Sequence, residues 1–271
     1  MTPASATDGR FRIHFVCTGN LCRSPTAEIA FRKLLPVALG AGASRFDVSS
    51  AGTHARLGEM MDPESLRALS DHGLADGDVH EFHSRPITAE TIRRADLVLT
   101  ATRSHRRAVV QARPEALART FTVLEFARLL GSVDRTSLPI DPVDRFRAGV
   151  VAARDRRGTI PAVPKAADDI HDRRGRTPAA HDEALVTIHN ALLQILGVLA
   201  LREQPGVPPL LAAAGGGGDG SRPQPVADPS ASESRRHRFR LCAHRLNRPV
   251  LQRSAQPSLS VRKRGFSYVW R

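Results

Sequence analysis

A cysteine and an arginine separated by five residues, in the run Cys17-Thr18-Gly19-Asn20-Leu21-Cys22-Arg23-Ser24-Pro25, can perform nucleophilic displacement at phosphorus. A thiolate attacks phosphorus well, but a free thiol is mostly protonated at neutral pH, so its surroundings must favour the anion. A helix beginning after the run would aim N-terminal amides and partial positive charge at the loop. Arg23 carries a permanent charge on a planar fork that fits two phosphate oxygens. Ser24 can donate to the sulfur and can also cap the helix, with Pro25 at the first helical position. Gly19 and Asn20 tolerate positive φ, which lets successive N–H groups converge on an anion. Cys17 is therefore the candidate nucleophile and Arg23 the candidate phosphoryl clamp. Thr18, Gly19, Asn20, Leu21, Cys22 and Ser24 complete the candidate binding loop.

Such a loop needs a strand before it and a helix after it. Phe11, Ile13 and Phe15 alternate as one face of a strand, and Ala27, Ala30, Phe31, Leu34 and Leu35 form a helical stripe. Strands are predicted at Phe11–Val16, Phe46–Ser50, Asp96–Thr100 and Thr120–Leu124, with helices at Pro25–Leu35, Pro63–Asp71, Ala89–Arg94 and Ser104–Ala112. This alternation predicts an α/β fold with a parallel sheet covered on both faces, and a site beyond the carboxyl ends of the strands. Asp144–Arg157 reads as a further helix, Asp168–Gly175 as an exposed loop and Ala179–Arg202 as the last helix. Its stripe of Leu185, Ile188, Leu192, Leu196 and Leu199 marks a packed helix rather than a membrane span. The expected organisation is a flexible start over 1–9, one domain over 10–202 and a disordered, basic, low-complexity tail over 203–271.

The stretch Val16–Pro25 closely resembles the active-site signature of the low-molecular-weight protein tyrosine phosphatases. Ser50-Ala51-Gly52-Thr53 is similar to that family's landmark after the second strand, and Ala95-Asp96-Leu97-Val98-Leu99 to its third strand. The resemblance implies a three-layer αβα fold with a four-stranded parallel sheet. It also implies hydrolysis of phosphotyrosine monoesters, in proteins or as small aryl phosphates, through a phosphocysteine, with no metal or other cofactor. In that family Asn20 and Ser50 would belong to a hydrogen-bond network holding the loop, and Cys22 would trap an oxidised Cys17 as a disulfide.

The leaving oxygen needs a proton and the phosphocysteine must then be hydrolysed, tasks that one carboxyl can serve in turn. Two aspartates compete. Asp141-Pro142 has the Asp-Pro pair usual on the family's acid loop, whereas Asp172 has the position, shortly before the last helix. Asp172 is favoured, with Asp169 third. Arg173 and Arg174 stand where the family has proline and usually an aromatic residue. The loop thereby loses a rigid φ and an aromatic wall; the arginines could attract an acidic peptide or lower the pKa of Asp172.

The net charge of +13 is uneven: from Arg202 onward there are 13 Lys/Arg against 4 Asp/Glu. Three cysteines are too few for a disulfide scaffold, and the polar start has no signal-peptide core, so a cytoplasmic setting is expected. The 11 histidines show no metal-ligand spacing; His54 reads as an exposed loop residue, with the pocket rim as its alternative, and His83 as a structural residue. An arsenate reductase would need further thiols, and only Cys242, in the tail, remains. A degenerate phosphatase that binds phosphoproteins without turnover is the non-enzymatic alternative. Arg235, Arg236, Arg238 and Arg240, then Arg262-Lys263-Arg264 with Phe266, Tyr268 and Trp270, read as a solvated charge run rather than a nucleic-acid site.

Overall fold

The computed structural model describes residues 8–75, 79, 81–172 and 175–200. Four strands, β1 (Phe11–Cys17), β2 (Phe46–Gly52), β3 (Leu97–Thr100) and β4 (Thr120–Thr122), form a parallel sheet in the order β2-β1-β3-β4. β1 lies inside the sheet, in register with β2 from Phe11↔Phe46 to Cys17↔Gly52 and with β3 from Ile13↔Leu97 to Val16↔Thr100. The strand order reverses between β1 and β3, and a doubly wound sheet opens its binding crevice beyond the carboxyl ends at such a point. Cys17 ends β1 there.

Side-chain alternation sorts the sheet into two faces. Phe11, Ile13, Phe15 and Cys17 of β1 join Leu97, Leu99 and Phe121 in the larger core. That face is covered by α1 (Arg23–Leu39), α2 (Pro63–Asp71), α5 (Val123–Leu130), α6 (Pro142–Arg156) and α7 (Pro178–Leu199). Val16 and Val98 point the other way, onto Ile92 of α3 (Ala89–Arg94) and Val109 of α4 (Arg103–Ala112). The result is the expected three-layer αβα arrangement. Among the described residues α7 is the one helix long and apolar enough to cross a membrane. Its predicted stripe is instead fully buried, and the helix packs on α1, α2 and α5.

Phe11, Phe46 and Phe146 meet at the amino end of the sheet, with centroid separations of 4.7–5.8 Å. Phe146 meets both other rings edge-on, and such pairs add about 0.5–1.5 kcal/mol each beyond their area burial. They tie α6 to the end of the sheet remote from Cys17.

Several elements differ from their sequence-based prediction. β4 stops at Thr122 because that residue caps a helix: its Oγ1 accepts from the Glu125 N–H (3.0 Å), and Glu125 Oε2 accepts from the Thr122 N–H (3.1 Å). This reciprocal cap turns Val123 and Leu124, predicted as strand, into the first turn of α5. α1 starts at Arg23 with Cys22 at the cap position and no side-chain cap, because the Ser24 hydroxyl is committed to the loop. It also runs past Pro36, whose missing N–H removes one helical bond, and ends where Gly40 adopts φ 56°. Asp168 and Ile170, predicted in an exposed loop, are both buried. The tail 203–271, residues 1–7 and the Arg173-Arg174 pair lie outside the described residues.

Candidate active site

The loop after β1 is shaped by where its carbonyls go. The Cys17 and Thr18 carbonyls accept from the Thr53 and His54 N–H groups, both at 2.9 Å. The Leu21 carbonyl accepts from the Asp62 N–H, and that of Cys22 from the Thr26 N–H, both at 3.0 Å. In a planar trans peptide the C=O and the following N–H point in opposite directions. Carbonyls turned out to the scaffold therefore turn the amides of Thr18, Gly19, Cys22 and Arg23 inward. Asn20 supplies the required change of hand, with φ 55°; Gly19, also expected to do so, keeps a negative φ.

Gly52, paired with Cys17 in the sheet, supports this loop by having no side chain. A Cβ there would collide with the Thr18 carbonyl oxygen and lie 2.8 Å from the Asn20 nitrogen. Gly52→Ala is thus expected to push the loop off its seat. The cost should be about 1–3 kcal/mol of stability and on the order of 10²-fold in kcat/KM on an aryl phosphate. Thermal denaturation and steady-state kinetics on the same preparation check both.

A buried polar network holds the loop from behind. Ser24 Oγ lies 3.0 Å from Cys17 Sγ and accepts from Asn20 Nδ2 (2.9 Å), which also donates to Ser50 Oγ (2.8 Å). Asn20 Oδ1 accepts from the Arg85 N–H at 2.9 Å. Ser50 donates to the buried Glu28 carboxylate (2.5 Å), which Arg32 and Arg85 neutralise at 2.8 and 3.2 Å. Asn20 and Ser50 lie in one hydrogen-bond network with the loop, and Glu28 and Arg85 extend it. Cys22 sits against Ser65 in the same buried layer; burial pushes its thiol up to about 12, against the opposing effect of the Ser65 hydrogen bond.

Arg23 joins the loop to the segment that carries the candidate acid. Its Nη1 donates to the Ile170 carbonyl (3.2 Å), its Nη2 donates to Thr18 Oγ1 (3.3 Å), and Nη2 lies 2.9 Å from Asp172 Oδ2. Its buried Nε has no protein partner, so a donor remains for a phosphate oxygen. The Ile170 N–H in turn donates to the Ala101 carbonyl just beyond β3. Asp168, 2% exposed, is gripped by Arg103 (2.5 Å) and Arg128 (3.0 Å), while Asp169 accepts from the Arg103 N–H (2.7 Å). Burial alone would raise the Asp168 carboxyl, but Arg128 and Arg103 hold it below the usual carboxylate range.

The aspartates thus separate by position. Asp172, half exposed, stands beside Arg23. Asp141 caps α6, accepting from the Val143 and Asp144 N–H groups at 3.0 and 3.1 Å, and pairs with Arg45 next to the first residue of β2. Cys17 aligns with Gly52 at the opposite end of β2, about 20 Å away at ~3.3 Å per residue. Asp169 is spent on the backbone of Arg103.

Two residues at the site went unread in the sequence. His105 touches Thr18, and Asp168 fixes the acid segment. His105 lies within an arginine-rich helical run that gives no sign of its burial; the Asp168-Asp169 pair looks like solvated loop. His54 is exposed and bonded to the neighbouring Thr53 hydroxyl, and His83 to the Glu81 carbonyl. Among the described residues no three His, Cys, Asp or Glu side chains gather as metal ligands.

The model of the low molecular weight phosphotyrosine protein phosphatase family matches residues 12–143. A probable low molecular weight protein-tyrosine-phosphatase, EpsP, of Ralstonia solanacearum is 33% identical over 155 residues, 55% of this chain and 92% of that protein. The chain belongs to this family. Another phosphatase related to it, the protein-arginine-phosphatase of Bacillus subtilis, is 35% identical over 114 residues, 42% of this chain and 71% of that protein. The low molecular weight protein tyrosine phosphatase structure from T. tengcongensis shares the fold at a TM-score of 0.50 and 22% identity, covering 69% of this chain and 97% of that one. The family match ends before Asp172, and α6 occupies the interval between them.

Proposed function

We propose that this family member is a cysteine-dependent protein tyrosine phosphatase acting through a phosphocysteine. Cys17 Sγ attacks phosphorus, the S–P bond forms, and the P–O bond to the tyrosyl ring breaks. Its electron pair goes to the phenolic oxygen, which takes a proton from the Asp172 carboxyl. Water then attacks the phosphocysteine while the Asp172 carboxylate accepts its proton, and the S–P bond breaks to release phosphate and the thiolate. The inward amides and Arg23 stabilise charge on the equatorial oxygens throughout, with little reorganisation. The observation that carries this reading is the Cys17 sulfur, 3.0 Å from Ser24 Oγ, in a loop whose carbonyls at Cys17, Thr18, Leu21 and Cys22 are drawn outward.

Tyrosine is preferred to arginine as the phosphorylated residue because a guanidinium leaving group brings several N–H donors that need acceptors. Leu21, the apolar side chain of the loop, provides none. The EpsP relative, matched over nearly its whole length, is named for tyrosine. Peptides carrying either phosphoresidue separate the two: kcat/KM should favour phosphotyrosine, and the reverse order would reassign the substrate. A reduced, cytoplasmic setting belongs to the same proposal, since the chemistry needs a thiolate and Cys17 and Cys22 are both free. So does a phosphatase domain spanning 10–202.

The role of Asp172 has its own test. Asp172→Asn should lower kcat on phenyl phosphate by about 10²–10⁴-fold. The loss should be much smaller on para-nitrophenyl phosphate, whose leaving group needs little protonation. The basic limb of the pH–rate profile should disappear in this variant and persist in Asp141→Asn.

A further inference from the structure

We propose that His105 is a positioning residue of the phosphate site, a buried imidazole that orients Arg23 by fixing the Thr18 hydroxyl. The inference rests on the proposed role of the Cys17 loop in holding phosphate. His105 lies in the first turn of α4, a helix capped by Thr102. Its ring bridges two threonines from different elements: Nδ1 is 2.8 Å from Thr102 Oγ1, and Nε2 is 2.8 Å from Thr18 Oγ1. Thr18 Oγ1 in turn accepts from Arg23 Nη2. A continuous chain, Thr102–His105–Thr18–Arg23, therefore runs from the carboxyl end of β3 to the guanidinium.

The chemistry of the chain needs a neutral ring. Either neutral tautomer satisfies both contacts, because each threonine hydroxyl can donate or accept. A protonated ring would add a second cation beside Arg23. Burial, with Arg23 adding to it, pushes the imidazole down to about 4, so the ring stays neutral over the physiological range. The ring is nearly fully enclosed, at 7% exposed, and α4 is anchored next to the acid segment through the Arg103 N–H and Asp169. Without His105, the Thr18 hydroxyl loses its outer tether. Of the partners of Arg23 only Ile170 and Asp172 are then held independently of that hydroxyl's rotation, and both lie on the acid segment rather than on the phosphate loop.

The test compares His105→Leu, His105→Gln and Thr18→Val by equilibrium binding of inorganic phosphate and by kinetics on para-nitrophenyl phosphate, each per folded site. His105→Leu should weaken phosphate binding and lower kcat/KM by about 10- to 100-fold. Thr18→Val should reproduce that loss, and the double variant should be no worse than the weaker single one. His105→Gln, whose amide can still reach Thr18, should recover most of the activity. A purely structural histidine predicts a lower melting temperature with unchanged phosphate affinity per folded site, which would overturn the proposal. If His105→Leu does not fold, Thr18→Val and His105→Gln decide it: wild-type phosphate affinity in Thr18→Val overturns it. Failure of the wild-type chain to bind phosphate at all would instead refute the site itself.

Discussion

Cys17→Ser is expected to reduce turnover of an aryl phosphate by on the order of 10⁴-fold or more, as removal of a catalytic nucleophile typically does. The sulfur can act because a thiolate is intrinsically nucleophilic toward phosphorus, whereas a serine hydroxyl at the same place would need a general base that the loop does not supply. Ser24 Oγ, 3.0 Å from the sulfur, already accepts from Asn20, and a neutral hydroxyl is too weak a base to activate a second hydroxyl. Phosphate affinity should survive, because the inward amides and Arg23 are untouched. Steady-state kinetics with parallel phosphate binding measures the separation. Acid-quenched mass spectrometry of the wild-type enzyme should find phosphate on Cys17. Undiminished turnover in the serine variant would eliminate the mechanism.

Arg23→Lys should be nearly as severe, at about 10²–10⁴-fold in kcat/KM. The charge is retained, so a large loss would show that geometry matters more than charge. One ammonium cannot simultaneously serve the Ile170 carbonyl, Thr18 Oγ1, Asp172 and a phosphate oxygen, as the fork can. Two deficits should appear. The first is weaker phosphate binding, shared by all substrates. The second is a further loss on phenyl phosphate relative to para-nitrophenyl phosphate, because the Asp172 segment loses its attachment to the loop. A variant that loses affinity alone would show that Arg23 does not help to place the acid.

The parts of this molecule most readable in the sequence were those in which local pattern and tertiary role coincide. Phe11, Ile13 and Phe15 alternate because one face of β1 meets the larger core, and Cys17 through Arg23 is contiguous, so the phosphate loop could be read from spacing. Asp141 looked plausible because the Asp-Pro pair serves two purposes: aspartate caps a helix and proline suits its first turn, with or without catalysis. Val123 was misread because a β-branched residue beside Phe121 and Thr122 favours a strand on propensity alone. The decisive signal was Thr122 and Glu125, three apart, each bonding the other's backbone. His105 and Asp168 were not legible. Their partners lie 87 and 65 or 40 positions away, and no local pattern encodes a bond over such a separation.

The outward carbonyls of the Cys17 loop also bear on how this scaffold can diversify. Its anion seat is built from main-chain dipoles aimed by other main-chain groups, at Thr53, His54, Asp62 and Thr26, so few of its donors depend on which side chains the loop carries. A residue such as that at position 21 can drift, altering which phosphorylated residue fits, while the electrostatics that cleave the phosphorus bond are inherited unchanged. Recognition and reactivity are thereby written in separate parts of the same short peptide, and one can evolve without rebuilding the other.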